Sequence, residues 1–384
     1  MKQVIRKSII EANNIKTEEN IYTLVVDGSS VLKTALVSTK LNQDGLDYGA
    51  IINFFNMIRQ VIVKRDFSKC YVFFDDDLSG QLRADIYPAY KANRDKHYNI
   101  NETEYDKKIN DYVKKVLAYS RNKKKESKKV QYVETEDERY SRCRDIIIEI
   151  CEELYIRVYM AKYVEADDLC AYVVRHKKPN EKIVIISSDR DLAQLISDDV
   201  CLYVLNKKTY VIPSNCVEVL GCTHENIVLK KIFCGDASDN IAGIKGVGEK
   251  TFFSLFPEAV NNKMLVEDVI SRAKEINDER KKEKKRPLKA CENIINNVTE
   301  GVQGNKIYEI NKKIISLEEP LLTEEATETM KMLTECPLDD EGRDFKNLYK
   351  IAQENKINDL LDDGRLGDFF GAFNGLIYRE KHNK

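Results

Sequence analysis

YTLVVDGSS, residues Tyr22–Ser30, is a run of apolar and β-branched side chains that stops at Asp27-Gly28. A short apolar run closed by a turn dipeptide predicts a buried strand whose carboxyl end carries Asp27. The same design returns in CYVFFDDD (Cys70–Asp77) and KIVIISSDRD (Lys182–Asp191), and VCLYVLN (Val200–Asn206) is a fourth candidate. Between them lie helical patterns, GAIINFFNMIRQVIVK (Gly49–Lys64) and CRDIIIEICEEL (Cys143–Leu154). Strands alternating with helices predict an α/β fold with a mostly parallel central sheet flanked by helices. Sites in such sheets form beyond the carboxyl ends of the strands. Asp27, Asp75, Asp189 and Asp191 all fall at that edge.

The bulk numbers fit this architecture. A chain of 384 residues, 42% hydrophobic and 33% charged, can bury a sizeable core and form two or three structural units. No run approaches the roughly 18 apolar residues that span a membrane, and the opening MKQVIRKSIIEANN is too polar for a secretory signal. Ten cysteines with no CxxC pair, and only four histidines, argue against a disulfide framework or a zinc site. A reducing, cytoplasmic setting is the expectation. The net charge of -2 excludes a global attraction to nucleic acid, but basic residues concentrate in RNKKKESKK (Arg121–Lys129) and RKKEKKRPLK (Arg280–Lys289). Each run reads either as a solvated helix face or loop, or as a local contact for polyanions.

Residues from about 95 to 142 break the alternation. Tyr98, Tyr105, Tyr112 and Tyr119 recur every seven residues, and with Ile109 and Val116 they form one stripe of a helix. Such a stripe serves packing or recognition. After Thr251 the pattern is mostly helical, with a polar Val266–Lys285 and an amphipathic IYEINKKIISL (Ile307–Leu317). The tail, INDLLDDGRLGDFFGAFNGLIY (Ile357–Tyr378), is either a docking helix on the core or a partner-binding segment. The expected organisation is an extension at 1–20, a core at 21–215 with an insertion at about 95–142, a helical region at 216–335 and a tail at 336–384.

Further acids join the strand-end aspartates. VEADDL (Val164–Leu169) opens a helix with Glu165, Asp167 and Asp168, and FCGDASDNIAGIKGVGEKT (Phe233–Thr251) sets Asp236 and Asp239 beside Gly243, Gly246 and Gly248. Helix-start preference explains one or two acids, not all of these. Gathered at one sheet edge they repel and raise each other's pKa values, so the site calls for cations. All-oxygen ligation selects magnesium or manganese over zinc. Two such ions activate water and stabilise the leaving oxygen of a phosphodiester. They also reconcile carboxylates with a glycine turn suited to phosphate.

In this order, Asp27 after a strand, FFDD, PAYKANR, VEADDL, SSDRDL and GDASDNIAGIKGVGEKT resemble the 5′-nuclease superfamily over about residues 22–256. That group includes flap endonucleases, the 5′–3′ exonuclease domain of bacterial DNA polymerase I and phage ribonuclease H-type 5′-nucleases. The resemblance implies that Asp27, Asp75, Glu165, Asp167 and Asp189 are inner acids, completed by Asp168, Asp191, Asp236 and Asp239 into a two-metal cluster. It implies that Gly243, Lys245, Gly246, Gly248 and Lys250 belong to a helix-three-turn-helix holding duplex backbone, with a potassium ion at its carbonyls. It places Tyr90, Lys91 and Arg94, helped by Arg83, at the base of a helical arch, where a base stacks on the tyrosine and the cations stabilise the scissile phosphate. The basic run with Lys123, Lys124 and Lys125 falls in that arch. Departures from the pattern are Asp76 in place of a glycine and Ala242 in place of a proline.

The implied function is a two-metal 5′ nuclease acting on DNA, or on RNA primers annealed to DNA, near single-strand/duplex junctions in replication and repair. The nucleophile is water, since no Ser, Cys or His arrangement suits covalent catalysis. A monomer without membrane attachment is expected, with replication proteins as candidate partners of the tail. The alternatives are a non-catalytic DNA-binding accessory protein and a resolvase-like junction nuclease, the latter favoured by dimer formation.

Overall fold

The computed structural model describes residues 21–37, 49–93, 135–299, 306–339, 341–361 and 364–382. The expected extension at 1–20, Arg94, the tyrosine stripe and Lys123, Lys124 and Lys125 lie outside the described residues.

Six strands form one sheet: β1 (Ile21–Asp27), β2 (Phe67–Asp75), β3 (Arg157–Ala161), β4 (Glu181–Ser187), β5 (Val200–Val204) and β6 (Thr209–Val211). Their order is β3-β2-β1-β4-β5-β6, parallel throughout except that β6 pairs antiparallel with β5. This is the expected α/β class. The chain steps from β1 to one side and returns to the other with β4, so the crevice at the carboxyl ends of these two strands is the topological switch point.

Successive side chains in a strand point to opposite faces, and the apolar runs therefore supply two cores. Leu24, Val26, Val72, Phe74, Val184 and Ile186 face one cluster, packed by α1 (Gly28–Val37), α2 (Gly49–Ile62) and α4 (Glu136–Glu153). A short α3 (Gln81–Ile86) lies between β2 and α4 in the chain. Val25, Tyr71, Phe73, Ile183 and Ile185 face the other cluster, covered by α5 (Ala166–Arg175). The start of α4 is fixed by a capping box, in which Thr135 accepts from the Glu138 N–H and Glu138 accepts from the Thr135 N–H.

A third core belongs to the helices after the sheet: α6 (Ile227–Cys234), α7 (Glu249–Leu255), α8 (Val266–Lys282), α9 (Lys289–Ile295) and α10 (Ile307–Ile315). Phe233, Phe252, Phe256, Val269, Ala273, Cys291 and Ile294 fill it. Between α6 and α7 sits a tight hairpin of β7 (Gly235–Asp236) and β8 (Ile241–Ala242). α11 (Glu324–Glu335) lies elsewhere: its Ala326 and Met330 enter the second sheet core beside α5, although the expected helical region ran to 335.

Of the two readings open for the tail, docking on the core is the one observed. α12 (Phe345–Glu354), α13 (Arg365–Phe370) and α14 (Asn374–His382) close the first core, with Phe370 and Phe373 edge-on to Phe55 at 5.4 and 6.2 Å. Arg157 of β3 locks the end in place. It donates to both carboxylate oxygens of Glu380 at 3.0 and 2.8 Å and to the carbonyls of Leu333 and Cys336. None of the ten cysteines forms a disulfide. Among the described residues no helix is long and apolar enough to cross a membrane.

Candidate active site

A cleft of about 590 Å³ opens at the switch point, lined by side chains from the ends of β1, β2 and β4, the start of α5 and the α6–β8 segment. Asp27, Asp75, Glu165, Asp167, Asp189, Asp191, Asp236 and Asp239 all line it. Eight of the nine acids named from the sequence thus converge on one space.

Asp27 and Asp75, at the ends of β1 and β2, are each held by neutral hydrogen-bond donors. Asp27 accepts from the Ser30 N–H at 2.9 Å and from the Ser187 hydroxyl at 2.7 Å. Burial, with Asp75 adding to it, pushes its carboxyl up to about 7. Asp75 accepts the Ala166 N–H at 2.9 Å, so a side chain on β2 caps α5, and Lys33 stands 3.8 Å away. Asp167 has no hydrogen-bond or ion-pair partner among the described residues, and burial together with Asp27 and Asp189 drives it well above the usual range. Asp189 is exposed at the rim and accepts from the Asp191 N–H at 2.8 Å.

A second subset lies across the cleft. One carboxylate oxygen each from Asp191, Asp236 and Asp239 falls within 4.8 Å of the others. Lys231, in the last turn of α6, sits among them and donates to Asp191 and, at 2.5 Å, to Asp236. Burial raises Asp236, but hydrogen bonds from Lys231 and Ser238 outweigh it and hold the carboxyl at about 2. Burial and Asp189 raise Asp191, restrained by Lys231. Lys231 was missed from the sequence; the signal available was a cation in the helical turn feeding GDASDN.

Glu165 is an ion-paired acid. Lys91 donates to it, Arg83 Nη1 approaches Oε2 at 2.7 Å, and the Tyr90 hydroxyl donates at 2.9 Å. Burial acts to raise it, and Arg83 and Lys91 outweigh that to hold it at about 2. Lys91 adopts a left-handed backbone at φ 52°, and its N–H donates to the Asp239 carbonyl at 2.8 Å. Its ammonium is thereby aimed between Glu165 and Asp239.

One expectation needs correction, and two residues that do line the cleft, Arg83 and Tyr90, sit deeper than expected. Asp168 does not line the cleft: it is fully buried, bonded by Arg83 at 2.5 and 3.1 Å and by the Leu321 N–H at 2.9 Å. Arg83, expected on DNA, is only 4% exposed, because it spans Asp168, Glu165 and the Ile314 carbonyl. Tyr90, expected to stack on a base, is 3% exposed and packs with Tyr87, Ile241, Ile314 and Ile315. Asp76 turns away from the acids and accepts the Leu78 N–H in the loop after β2.

The glycine turn follows the acids directly. Gly243 is required by close approach, since a Cβ there would lie 2.3 Å from the Cys234 carbonyl carbon and 2.4 Å from the Gly235 nitrogen. Gly246 has φ 77°, the left-handed region that favours glycine. Lys245, Gly246, Gly248 and Lys250 are all exposed on one turn. Ala242 is held without proline: it pairs with Gly235, and its carbonyl accepts from Asn311 at 2.9 Å. The carbonyls of Gly243, Ile244 and Lys245 each accept a protein hydrogen bond, so the expected potassium ion would have to share them.

The family model for the N-terminal resolvase-like domain of 5′-3′ exonucleases matches residues 22–221. The chain belongs to this family. A 5′-3′ exonuclease of Buchnera aphidicola subsp. Baizongia pistaciae is 23% identical over 354 residues, which cover 88% of this chain and 95% of that protein. DNA polymerase I of Bacillus subtilis is 31% identical over 128 residues, 32% of this chain and 14% of the polymerase. A second 5′-3′ exonuclease, from Buchnera aphidicola subsp. Schizaphis graminum, is 29% identical over 126 residues, 32% of this chain and 43% of the relative. The chain thus spans less than half the length of both of these last two relatives. Among solved structures, a phage T5 protein co-crystallised with metal ions aligns at TM-score 0.52 and 18% identity, covering 88% of this chain and 98% of its own. The phage T5 flap endonuclease in complex with DNA and metal ions aligns at TM-score 0.51 and 17% identity, covering 94% and 100%. At these identities the structures establish a shared fold.

Proposed function

We propose that this chain is a structure-specific 5′ nuclease that hydrolyses phosphodiesters of DNA at single-strand/duplex junctions with two magnesium or manganese ions. RNA primers annealed to DNA fall within the same substrate class. The observation that carries the reading is the convergence of eight carboxylates on one cleft, with Asp167 left without a partner among the described residues. A donor set made only of oxygens, with Asp27, Asp167 and Asp191 pushed toward protonation by burial and by their acidic neighbours, fits hard divalent ions. Asp27, Asp75, Asp167 and Asp189 would hold one ion, and Asp191, Asp236 and Asp239 the other. When bound, such ions lower the pKa of water and stabilise the charge on the leaving oxygen.

The protein's own groups do the rest. Lys91 is fixed by its backbone bond to Asp239, and its ammonium faces the space where a phosphate would meet the acids, placing positive charge on the developing phosphorane. Ser30 and Ser187 hold the Asp27 carboxylate in one rotamer, and the Ala166 N–H does the same for Asp75. Lys245 and Lys250 on the glycine turn would grip the duplex backbone beside the cleft. This reading is supported by the family relationship, and the names of the relatives agree with it.

The test is a magnesium-dependent cleavage assay on 5′-labelled flap, nicked, overhang, RNA-primed and four-way substrates. Cleavage near the junction that EDTA abolishes is the expected result, and the product ladder gives the exonuclease and endonuclease shares. Tight junction binding with no metal-dependent product would mean a non-catalytic accessory protein. Cleavage confined to four-way DNA would mean a resolvase.

A further inference from the structure

The run Arg280–Lys289 takes no part in the cleft, yet seven of its ten residues are Lys or Arg and one is acidic. It forms the tip of the hairpin made by α8 and α9. Basic residues in the last turn of a helix complement its dipole, which accounts for Arg280, Lys281 and Lys282. Lys284, Lys285 and Arg286 lie beyond the helix end and gain nothing from it. Lys285 pairs with Glu283, while Lys281, Lys282, Lys284 and Arg286 have no ion pair among the described residues.

The tip is rigid rather than a loose loop. Asn277 of α8 is mostly buried and grips Leu288 from both sides, its Oδ1 accepting the N–H at 2.7 Å and its amide donating to the carbonyl at 3.4 Å. Arg280 Nε donates to the Arg286 carbonyl at 2.9 Å. The base of the hairpin is sewn to the glycine turn: Asn293 donates to the Lys245 carbonyl at 2.8 Å, the Lys245 N–H donates to Val298 at 2.9 Å, and Thr299 donates to Gly243 at 2.6 Å. Turn and hairpin also share the third core. α9 has seven residues, so the cations stand about 10 Å from the turn, or about three phosphate steps along one strand.

We propose that this tip is a second phosphate-binding surface, which extends the grip of the glycine turn along the backbone of a duplex. It rests on the nucleic-acid reading given above and adds the length of duplex engaged. A protein partner would need an apolar anchor at the centre of its interface, and the segment from Arg280 to Lys289 exposes none. A phosphate backbone needs only cations held at its spacing.

The experiment compares the wild type with a variant carrying Lys281→Gln, Lys282→Gln, Lys284→Gln and Arg286→Gln. Anisotropy titrations in EDTA, over a series of salt concentrations, use junctions with a duplex arm of about two turns or of about half a turn. On the long arm the variant should bind about 10-fold more weakly, and its log–log salt slope should fall by about 2, the value for two lost phosphate contacts. On the short arm the two proteins should match, as should their turnover at saturating substrate and their melting temperatures. An unchanged slope on the long arm, or an equal loss on both arms, overturns the proposal and returns the tip to a solvated surface or an acidic protein partner. If the wild type itself neither binds nor cuts junctions, the nuclease reading fails instead, and the two failures are told apart by that control.

Discussion

Replacing Lys231 by methionine should make the metal-free protein less stable and its metal binding tighter. The ammonium lies between Asp191 and Asp236, both of which it bonds, in a group whose third member is Asp239. Its side chain is 16% exposed, so the contacts are shielded but not dry. At an effective dielectric of about 20, each charge pair at about 4 Å is worth about 4 kcal/mol before desolvation. A divalent ion taking these acids must first displace the lysine, which recovers most of that energy in water. A net competition of about 1.4–2.7 kcal/mol remains, a factor of about 10–100 in affinity.

Isothermal titration with manganese, without DNA and at fixed ionic strength, reads this directly. One class of sites in Lys231→Met should tighten about 10- to 100-fold, whereas Lys231→Arg, which keeps the charge, should not. In EDTA the methionine variant should melt below the wild type, because Asp191 and Asp236 lose their shared cation. Metal affinity that falls or stays level in Lys231→Met would refute the competition and leave the lysine only a contact for substrate phosphate.

Asp27 gives a pH dependence. Its folded-state pKa of about 7 exceeds the ordinary 3.8, so the folded protein holds a proton that the unfolded chain has released. Metal-free stability should fall as pH rises from about 4 to about 7, by up to about 4 kcal/mol, then level off. Urea denaturation in EDTA across that range tests it, and a flat profile would count against the burial argument. Asp189→Asn should leave junction binding in place and reduce single-turnover cleavage by orders of magnitude; weak binding with normal turnover at saturating DNA would remove it from the metal site. Gly243→Ala should cost about 1–3 kcal/mol in chemical denaturation and weaken duplex binding, since the new Cβ meets the backbone of Cys234 and Gly235. Glu380→Ala strands Arg157, which is 2% exposed, and should cost about 3–5 kcal/mol while exposing the tail to protease.

Four of the six strands were legible because β1, β2, β4 and β5 are apolar on both faces, and the acids that follow β1, β2 and β4 mark the edge of the site; β3 and β6 were missed because they are short and mostly half-buried. The tail was legible only to a choice between two roles. Its aromatic residues specify a buried face but not what covers it, and the decisive partners, Phe55 and Arg157, lie some 200–300 residues away in sequence. The placement of α11 against α5 was hidden for the same reason: Ala326 and Met330 form a sparse apolar stripe that fits either core.

At the site, acids could be counted but their partners could not. Asp168 reads the same as Asp167 in VEADDL, yet consecutive helical residues point about 100° apart. One faces the cleft, and the other faces inward to Arg83. Lys231 was hidden still more deeply, because an isolated Lys in a helix is the commonest of surface residues. Its position sorts the acids into two groups that the sequence presents as one. Asp27 and Asp167 are held by hydroxyl and amide donors or, among the described residues, by no partner, so no lysine has to be displaced before an ion binds there. Asp191 and Asp236 already share the Lys231 ammonium, which offsets part of their charge. The first divalent ion should therefore go to the sheet-edge acids and the second should wait for a phosphate to draw Lys231 aside, so that titration without DNA shows one strong site and titration with a junction shows two.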